Sequence, residues 1–184
     1  KYWMGLSESP KVEEEQLFED LNAVGNEVLF RQLTEASLTV AKNDKKVLPF
    51  NQLHKQTFAV IGIGGGDHKA FQDRLKHYAN VKVIEMPSYW GPNAKMAIED
   101  QLRGVNHLIV GLHKDDPSPW KSYKMSTEEK DQVAWLLEQR ASTLCVFTNP
   151  YTLLDFEAGK KAQALVLAYQ NNDVAQDFTA QMLF

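Results

Sequence analysis

Residues 57–67 read Thr-Phe-Ala-Val-Ile-Gly-Ile-Gly-Gly-Gly-Asp, a short apolar run that breaks into four glycines and ends on a carboxylate. A bare turn after a buried strand is the arrangement that lets backbone N–H groups approach an anion closely. Gly62 and Gly64 fit the first two positions of the dinucleotide fingerprint G-x-G-x-x-G, and Glu85 lies at about the expected 20-residue distance for a ribose-binding acid. The third glycine position is held by Asp67. A carboxylate there would repel the pyrophosphate that such a loop cradles. Two readings follow: a Rossmann-like nucleotide- or flavin-binding loop over Gly62–Asp67, or a strand-closing turn in which Asp67 caps the next helix.

Three other groupings have side chains capable of chemistry. His113-Lys-Asp-Asp-Pro-Ser-Pro119 sets an imidazole beside two carboxylates, as acid–base or metal chemistry would require, but shows no third ligand in fixed register. A proline-stiffened connector is the simpler reading of that segment. Tyr89-Trp90-Gly-Pro92 offers aromatic surface for a sugar ring or for packing between domains. Asn149-Pro150-Tyr151 reads as a helix cap followed by a proline at the first helical position. Cys145 sits inside the apolar run Thr143–Phe147 and reads as a small buried hydrophobe. His54, His68, His77 and His107 follow no ligand spacing. No G-x-S-x-G elbow, H-E-x-x-H helix or P-loop is present, and no pair of carboxylates designates itself as acid and nucleophile. Neither a catalytic residue nor a metal or cofactor site is assigned.

The elements that must position these groups alternate. Leu17, Leu21, Val24 and Val28 predict one face of a long helix opened by Glu13-Glu14-Glu15. A short strand over 37–41, a polar turn and the apolar hook Val47-Leu-Pro-Phe50 come next. Strands are then expected near 57–62, 81–86, 106–112, 143–147 and 163–168, with helices near 67–79, 92–103, 126–140, 150–158 and 172–184. Such alternation predicts an α/β protein, a three-layer α/β/α sandwich around a mostly parallel sheet, flavodoxin-like in plan. The strands are near-continuous apolar runs, as sheets covered on both faces require. Ligands of such sheets gather beyond the carboxyl ends of the strands, which singles out the loops 62–67, 85–91, 111–120, 148–151 and 169–172.

The 184 residues, 43% hydrophobic and 24% charged, suit one globular domain. A net charge of −4 with scattered lysines and arginines gives no general attraction to nucleic acid or to an anionic membrane. No apolar run reaches the roughly 18 residues of a membrane span. The chain opens on Lys1 and closes on Phe184 inside a helical pattern, so it is expected to be a domain cut from a longer parent.

The ordered set of a long helix, Ser37-Leu-Thr-Val-Ala-Lys-Asn-Asp-Lys-Lys-Val-Leu-Pro-Phe50 and the strand Phe58-Ala-Val-Ile-Gly62 resembles the C-terminal α/β sandwich domain of family 3 glycoside hydrolases. In that family a serine-led strand ending in Lys-Asn precedes a turn, Leu-Pro and a strand ending in glycine; Lys42-Asn43, Leu48-Pro49 and Gly62 fall in that order here. Lys1-Tyr-Trp-Met-Gly-Leu6 resembles the linker that leaves the catalytic barrel, and Val146-Phe-Thr-Asn-Pro-Tyr-Thr-Leu-Leu154 a later strand and turn of the domain. The resemblance, closest to the bacterial β-N-acetylhexosaminidase-like or β-glucosidase-like branch, implies a linker and helix over 1–36 and the α/β domain over 37–184. It implies as partner an N-terminal (β/α)8 barrel of the same parent that carries the nucleophile of a retaining reaction. It further implies a periplasmic or extracellular parent and a carbohydrate at the seam between domains. Substrate or interface contacts would then come from Gly64, Gly65, Asp67, Trp90, His113, Asp115, Asn149 and Tyr151.

Overall fold

A computed structural model describes residues 2–5, 14–115, 124–154 and 156–184. Lys1 and Leu6 of the linker-like segment, Glu13 of the acidic first turn, Asp116–Trp120 of the loop after His113, and Asp155 lie outside the described residues. The chain divides into two compact units, 1–33 and 34–184.

The first unit holds a 3₁₀ turn at Tyr2–Met4, helix α1 (Leu17–Leu21) and most of α2 (Val24–Ser37). The single long helix expected here is therefore two. The break falls where side-chain amides compete for main-chain carbonyls. Asn22 donates Nδ2 to Phe18 O at 2.8 Å, and Asn26 donates its own to Asp20 O at 3.2 Å. At the far end of α2, Ser37 Oγ donates to Thr34 O at 2.8 Å, which keeps Ser37 in the helix. The first strand accordingly starts at Thr39, two residues later than expected.

The second unit is built on one six-stranded sheet: β1 (Thr39–Asn43), β2 (Phe58–Ile63), β3 (Val81–Val83), β4 (His107–His113), β5 (Ala141–Phe147) and β6 (Ala164–Leu167). Their spatial order is β1-β6-β5-β4-β2-β3. β1 pairs antiparallel with β6 and every other pair is parallel. Counted without the antiparallel edge, the strands run second, first, third, fourth, fifth, which is the flavodoxin-like order. The direction of winding reverses between β2 and β4, so the crevice of the sheet opens at their carboxyl ends.

Helices α3 (Lys69–Lys76), α4 (Pro92–Gln101), α5 (Thr127–Gln139) and α6 (Asp173–Met182) cover the two faces. Alternate residues of each strand feed separate cores, as a pleated strand buried on both sides must. Ala59, Ile61, Leu108, Val110, Leu144 and Val146 pack with Ile98 and Leu102 near α4 and with Val133 and Leu136 of α5. Phe58, Val60, Ile109, Cys145, Phe147 and Val166 pack with Phe71 and Leu75 of α3, Ala180 of α6, and Leu48 and Phe50 of the apolar hook. The sandwich is thus three-layered, as the alternation predicts. Between β5 and β6 the short helix expected over 150–158 is replaced by two 3₁₀ turns, Pro150–Leu153 and Glu157–Lys161. Among the described residues no helix is long and apolar enough to cross a membrane.

Candidate functional site

The glycine turn after β2 meets protein atoms on nearly every side. Gly64 has φ +99°, a conformation few side chains adopt, and a Cβ there would collide with the carbonyl oxygen of His113. A Cβ on Gly66 would lie 2.6 Å from Asn171 Nδ2 and 2.8 Å from Asp115 Oδ1, and one on Gly62 would lie 2.8 Å from the ring of His68. Only Gly65, which is exposed, has open space around it. The glycines let three loops cross closely.

Those loops are tied by a polar hub. The Nδ1–H of His113, at the end of β4, donates to Asn171 Oδ1 at 2.8 Å, and Gln176 Nε2 of α6 donates to the same oxygen at 2.9 Å. Asn171 Nδ2 in turn donates to Asp67 O at 3.0 Å and to Asp115 Oδ1. Gln176 Nε2 also reaches Asp67 O at 2.7 Å, while its Oε1 accepts the N–H of Phe71 at 2.9 Å. The donor and acceptor roles fit one amide orientation throughout. Loops from β2, β4 and β6 are therefore held by two amide side chains, Asn171 and Gln176.

The same contacts close the turn to a pyrophosphate. The N–H of Asp67 donates to Asp115 Oδ2 at 3.2 Å, that of Lys69 to Asp67 Oδ1 at 2.9 Å, and that of Gly66 to His113 O at 3.2 Å. Two carboxylates occupy the positive end of α3, where an anionic ligand would be bound. The Lys69 N–H lowers the carboxyl of Asp67 below its ordinary range. As an ionised acceptor held by amide donors, Asp67 is poorly suited to deliver a proton. Asp67 serves as the expected helix cap from one residue outside the N-cap position, which is His68.

His113 is only 1% exposed and lies flat on Phe147, with ring centroids 4.3 Å apart and planes 10° from parallel. Burial lowers its pKa to about 4, so it is neutral near pH 7, and its Nε2 is buried with no hydrogen-bond partner. Its ring covers Gly111, where no side chain would fit. Among the described residues no group of three or more histidine, cysteine, aspartate or glutamate side chains is arranged to hold a metal ion.

The structure brings Gly64, Gly65, Asp67, His113 and Asp115 together and leaves the other candidates apart. Trp90 donates its indole N–H to Asp131 of α5, meets Trp135 edge-on at 5.5 Å, and has Lys95 Nζ 5.0 Å from its ring. It fastens α4 to α5. Asn149 caps the 3₁₀ turn by accepting the N–H of Tyr151 at 3.0 Å, and the ring of Tyr151 is exposed. Asn171 lies in the strand-end loop 169–172 that the sequence singles out, but neither its part in the hub nor Gln176 is legible there. The available signal is the placement of Gln176 on the buried face of α6 with Ala175, Thr179 and Ala180, where a polar side chain needs a partner.

No protein-family model and no curated protein sequence matches the chain. Solved structures do match. Over 98% of its length the chain overlays 28% of the β-glucosidase from Listeria innocua in complex with isofagomine, with a TM-score of 0.65 at 15% identity. All of it overlays 34% of the β-glucoside phosphorylase BglX, with a TM-score of 0.68 at 16% identity. A fungal multi-domain family 3 β-N-acetylglucosaminidase matches with a TM-score of 0.66 at 12% identity, over 95% of this chain and 19% of that one. The chain has the fold of a family 3 glycoside hydrolase subdomain. It spans about a third or less of the length of these proteins.

Within that fold the Lys-Asn and Leu-Pro dipeptides have a plain physical task. Asn43 clasps the backbone of Leu48 from both sides, donating Nδ2 to its carbonyl at 2.8 Å and accepting its N–H at 3.0 Å. Lys42 Nζ donates to Lys160 O at 2.5 Å and Ala162 O at 2.6 Å. The first interaction swings Leu48 and Phe50 into the core beside Phe58; the second ties the antiparallel edge strand to the turn before β6.

Proposed function

We propose that this chain is the α/β domain that accompanies the (β/α)8 catalytic domain of a retaining family 3 glycosidase acting on β-glucosides or β-N-acetylhexosaminides, and that it supplies no nucleophile. The observation that carries the reading is the lopsided overlay: 98–100% of this chain on 28–34% of a β-glucosidase and a β-glucoside phosphorylase. The site geometry agrees with an accessory role. Both carboxylates at the crevice are engaged by amide donors that hold loops in place, and the buried imidazole is neutral and directed at an amide.

The parent's periplasmic or extracellular placement follows from the same reading, since polysaccharide and wall-fragment substrates are found there. A nucleotide- or flavin-binding module is the competing account, and the flavodoxin-like strand order is what favours it. The carboxylates seated on the loop N–H groups weigh against it. Assays of the 184-residue chain on an aryl β-glucoside and an aryl N-acetyl-β-glucosaminide, beside titrations with NAD, NADP and FMN, separate the two. The accessory reading expects no turnover and no saturable nucleotide binding. Micromolar binding of any of the three nucleotides would overturn it.

A further inference from the structure

We propose that His113 is an acid-operated latch on the crevice: its neutral ring straps the loops after β2, β4 and β6 together, and protonation expels the ring and releases them while the sheet stays folded. The latch is a property of the fold and does not rest on the proposed function.

Its geometry lies in where the two ring nitrogens point. Nδ1–H donates to Asn171 Oδ1 at 2.8 Å, and Asn171 passes the tie on through Nδ2 to Asp67 O and Asp115 Oδ1. Nε2 is sealed from solvent with no partner among the described residues, and it faces Gly111 so closely that a Cβ there would collide with it. The ring lies on Phe147, with centroids 4.3 Å apart, and is flanked by Phe71 at 5.9 Å. A second proton would put a charged donor into an apolar slot with nothing to accept it.

The groups around the ring do not offset that cost. The turn before α3 presents Asp67 and His68, whose ring centroid is 5.5 Å away, and the loop after β4 presents Asp115. Lys114 is turned aside onto Glu129 at 2.7 Å. On the same face of the sheet β5 adds Phe147 and the un-ionised Cys145, and the start of α6 adds the neutral amides of Asn171 and Gln176. The two carboxylates attract an imidazolium, but each is already held by loop N–H groups, and burial outweighs them. A proton on His68 would oppose one on His113 further, so the direction holds for either state of His68. Once the His113 ring leaves, Asn171 Oδ1 keeps only its bond from Gln176, and the strap from β4 to β6 is undone. The loops it joins carry the exposed Gly65, Asp67 and Asp115 and are tied largely by side-chain bonds, the kind of segment that opens below the global unfolding free energy.

In the closed hub the His113 pKa is about 4, against 6.5 for a ring in water. The closed form is therefore favoured above pH 6.5, and opening becomes about tenfold easier per pH unit below it, or about thirtyfold easier at pH 5 than at pH 7.5. Native-state hydrogen exchange of the 184-residue chain, followed by NMR at pH 7.5, 6 and 5 and corrected for intrinsic rates, reads this directly. The Gly66, Asp67 and Phe71 amides are expected to lose about thirtyfold in protection, while those of Leu108–Leu112 in β4 stay the more protected at every pH. In His113→Gln, which has no imidazole, the hub amides should change by less than about threefold. Should that variant not fold, ring ¹⁵N spectra of the unmodified chain decide: the His113 Nδ1–H signal and the Asn171 side-chain amide are expected to fade together as the pH falls toward 5. Hub protection that is flat with pH, a fall that persists in His113→Gln, or one common exchange rate for hub and β4 at pH 5 overturns the latch. So does a His113 ring that titrates near pH 6.5 with the Asn171 amide unmoved.

Discussion

His113 donates its Nδ1–H to Asn171 Oδ1 at 2.8 Å, joining the end of β4 to the loop that leaves β6 across a sheet in which β5 lies between them. The bond is one of four made by the Asn171 side chain, and the whole crevice depends on them.

Replacing Asn171 by alanine leaves the buried His113 donor without its acceptor and removes two donors from Asp67 O and Asp115. The expected loss is about 2–4 kcal/mol, because buried polar groups stranded without partners cost more than the net worth of their bonds. Urea unfolding of the wild type and N171A measures it. A change below about 0.5 kcal/mol would show that the hub contributes little.

The glycine turn separates two classes of position. Gly64→Ala combines a positive φ with a clash on His113 O, and should cost about 2 kcal/mol or more. Gly65→Ala meets open space at an ordinary φ and should fall within about 0.5 kcal/mol of wild type. Thermal unfolding of both variants checks the contrast.

Stability is expected to fall in acid well before carboxylates titrate. Burial lowers both His107 and His113 to a pKa of about 4, from 6.5 when unfolded. The unfolded chain therefore binds more protons between those values, so stability is fully present above pH 6.5 and is lost as pH falls toward 4. Each histidine contributes about 3 kcal/mol across that window. His107 keeps its bond to Thr143 Oγ1, 2.9 Å away, only while one of the two has a proton to give and the other a lone pair. Urea midpoints at pH 7.5, 6 and 5 should decline in order, and a flat profile would contradict the burial of both rings.

Cys145 is fully buried in β5, and burial pushes its thiol well above the ordinary range. Thiol reagents at pH 8 should leave it unmodified in the native chain and label it completely in denaturant. Rapid native labelling would contradict the central position of β5.

Much of the fold was legible because the chain alternates cleanly: apolar runs such as Leu108–Leu112 hold no polar side chain, and Ser126 with Glu129 opens α5 through a reciprocal capping box. The N-terminal helix was misread because its apolar spacing runs straight through Asn22 and Asn26, whose side-chain bonds break it. Trp90 could not be placed from sequence, since an aromatic at a turn serves a ligand or a neighbouring helix equally well, and Asp131 and Trp135 lie some 40 residues on. The carboxylate at Asp67 did give the glycine turn away. What the sequence could not show is that a second carboxylate, Asp115, arrives from another loop to accept the N–H of Asp67 itself.

The account rests most heavily on the chain being one domain of a glycosidase. The direct measurement is turnover of an aryl β-glucoside and an aryl N-acetyl-β-glucosaminide by the full-length native polypeptide, by that polypeptide with residues 37–184 deleted, and by the 184-residue chain alone. The account predicts turnover of at least one substrate by the full polypeptide, impaired turnover on deletion, and none by the isolated chain. Comparable turnover by the isolated chain, or none by the full polypeptide on either substrate, would contradict it.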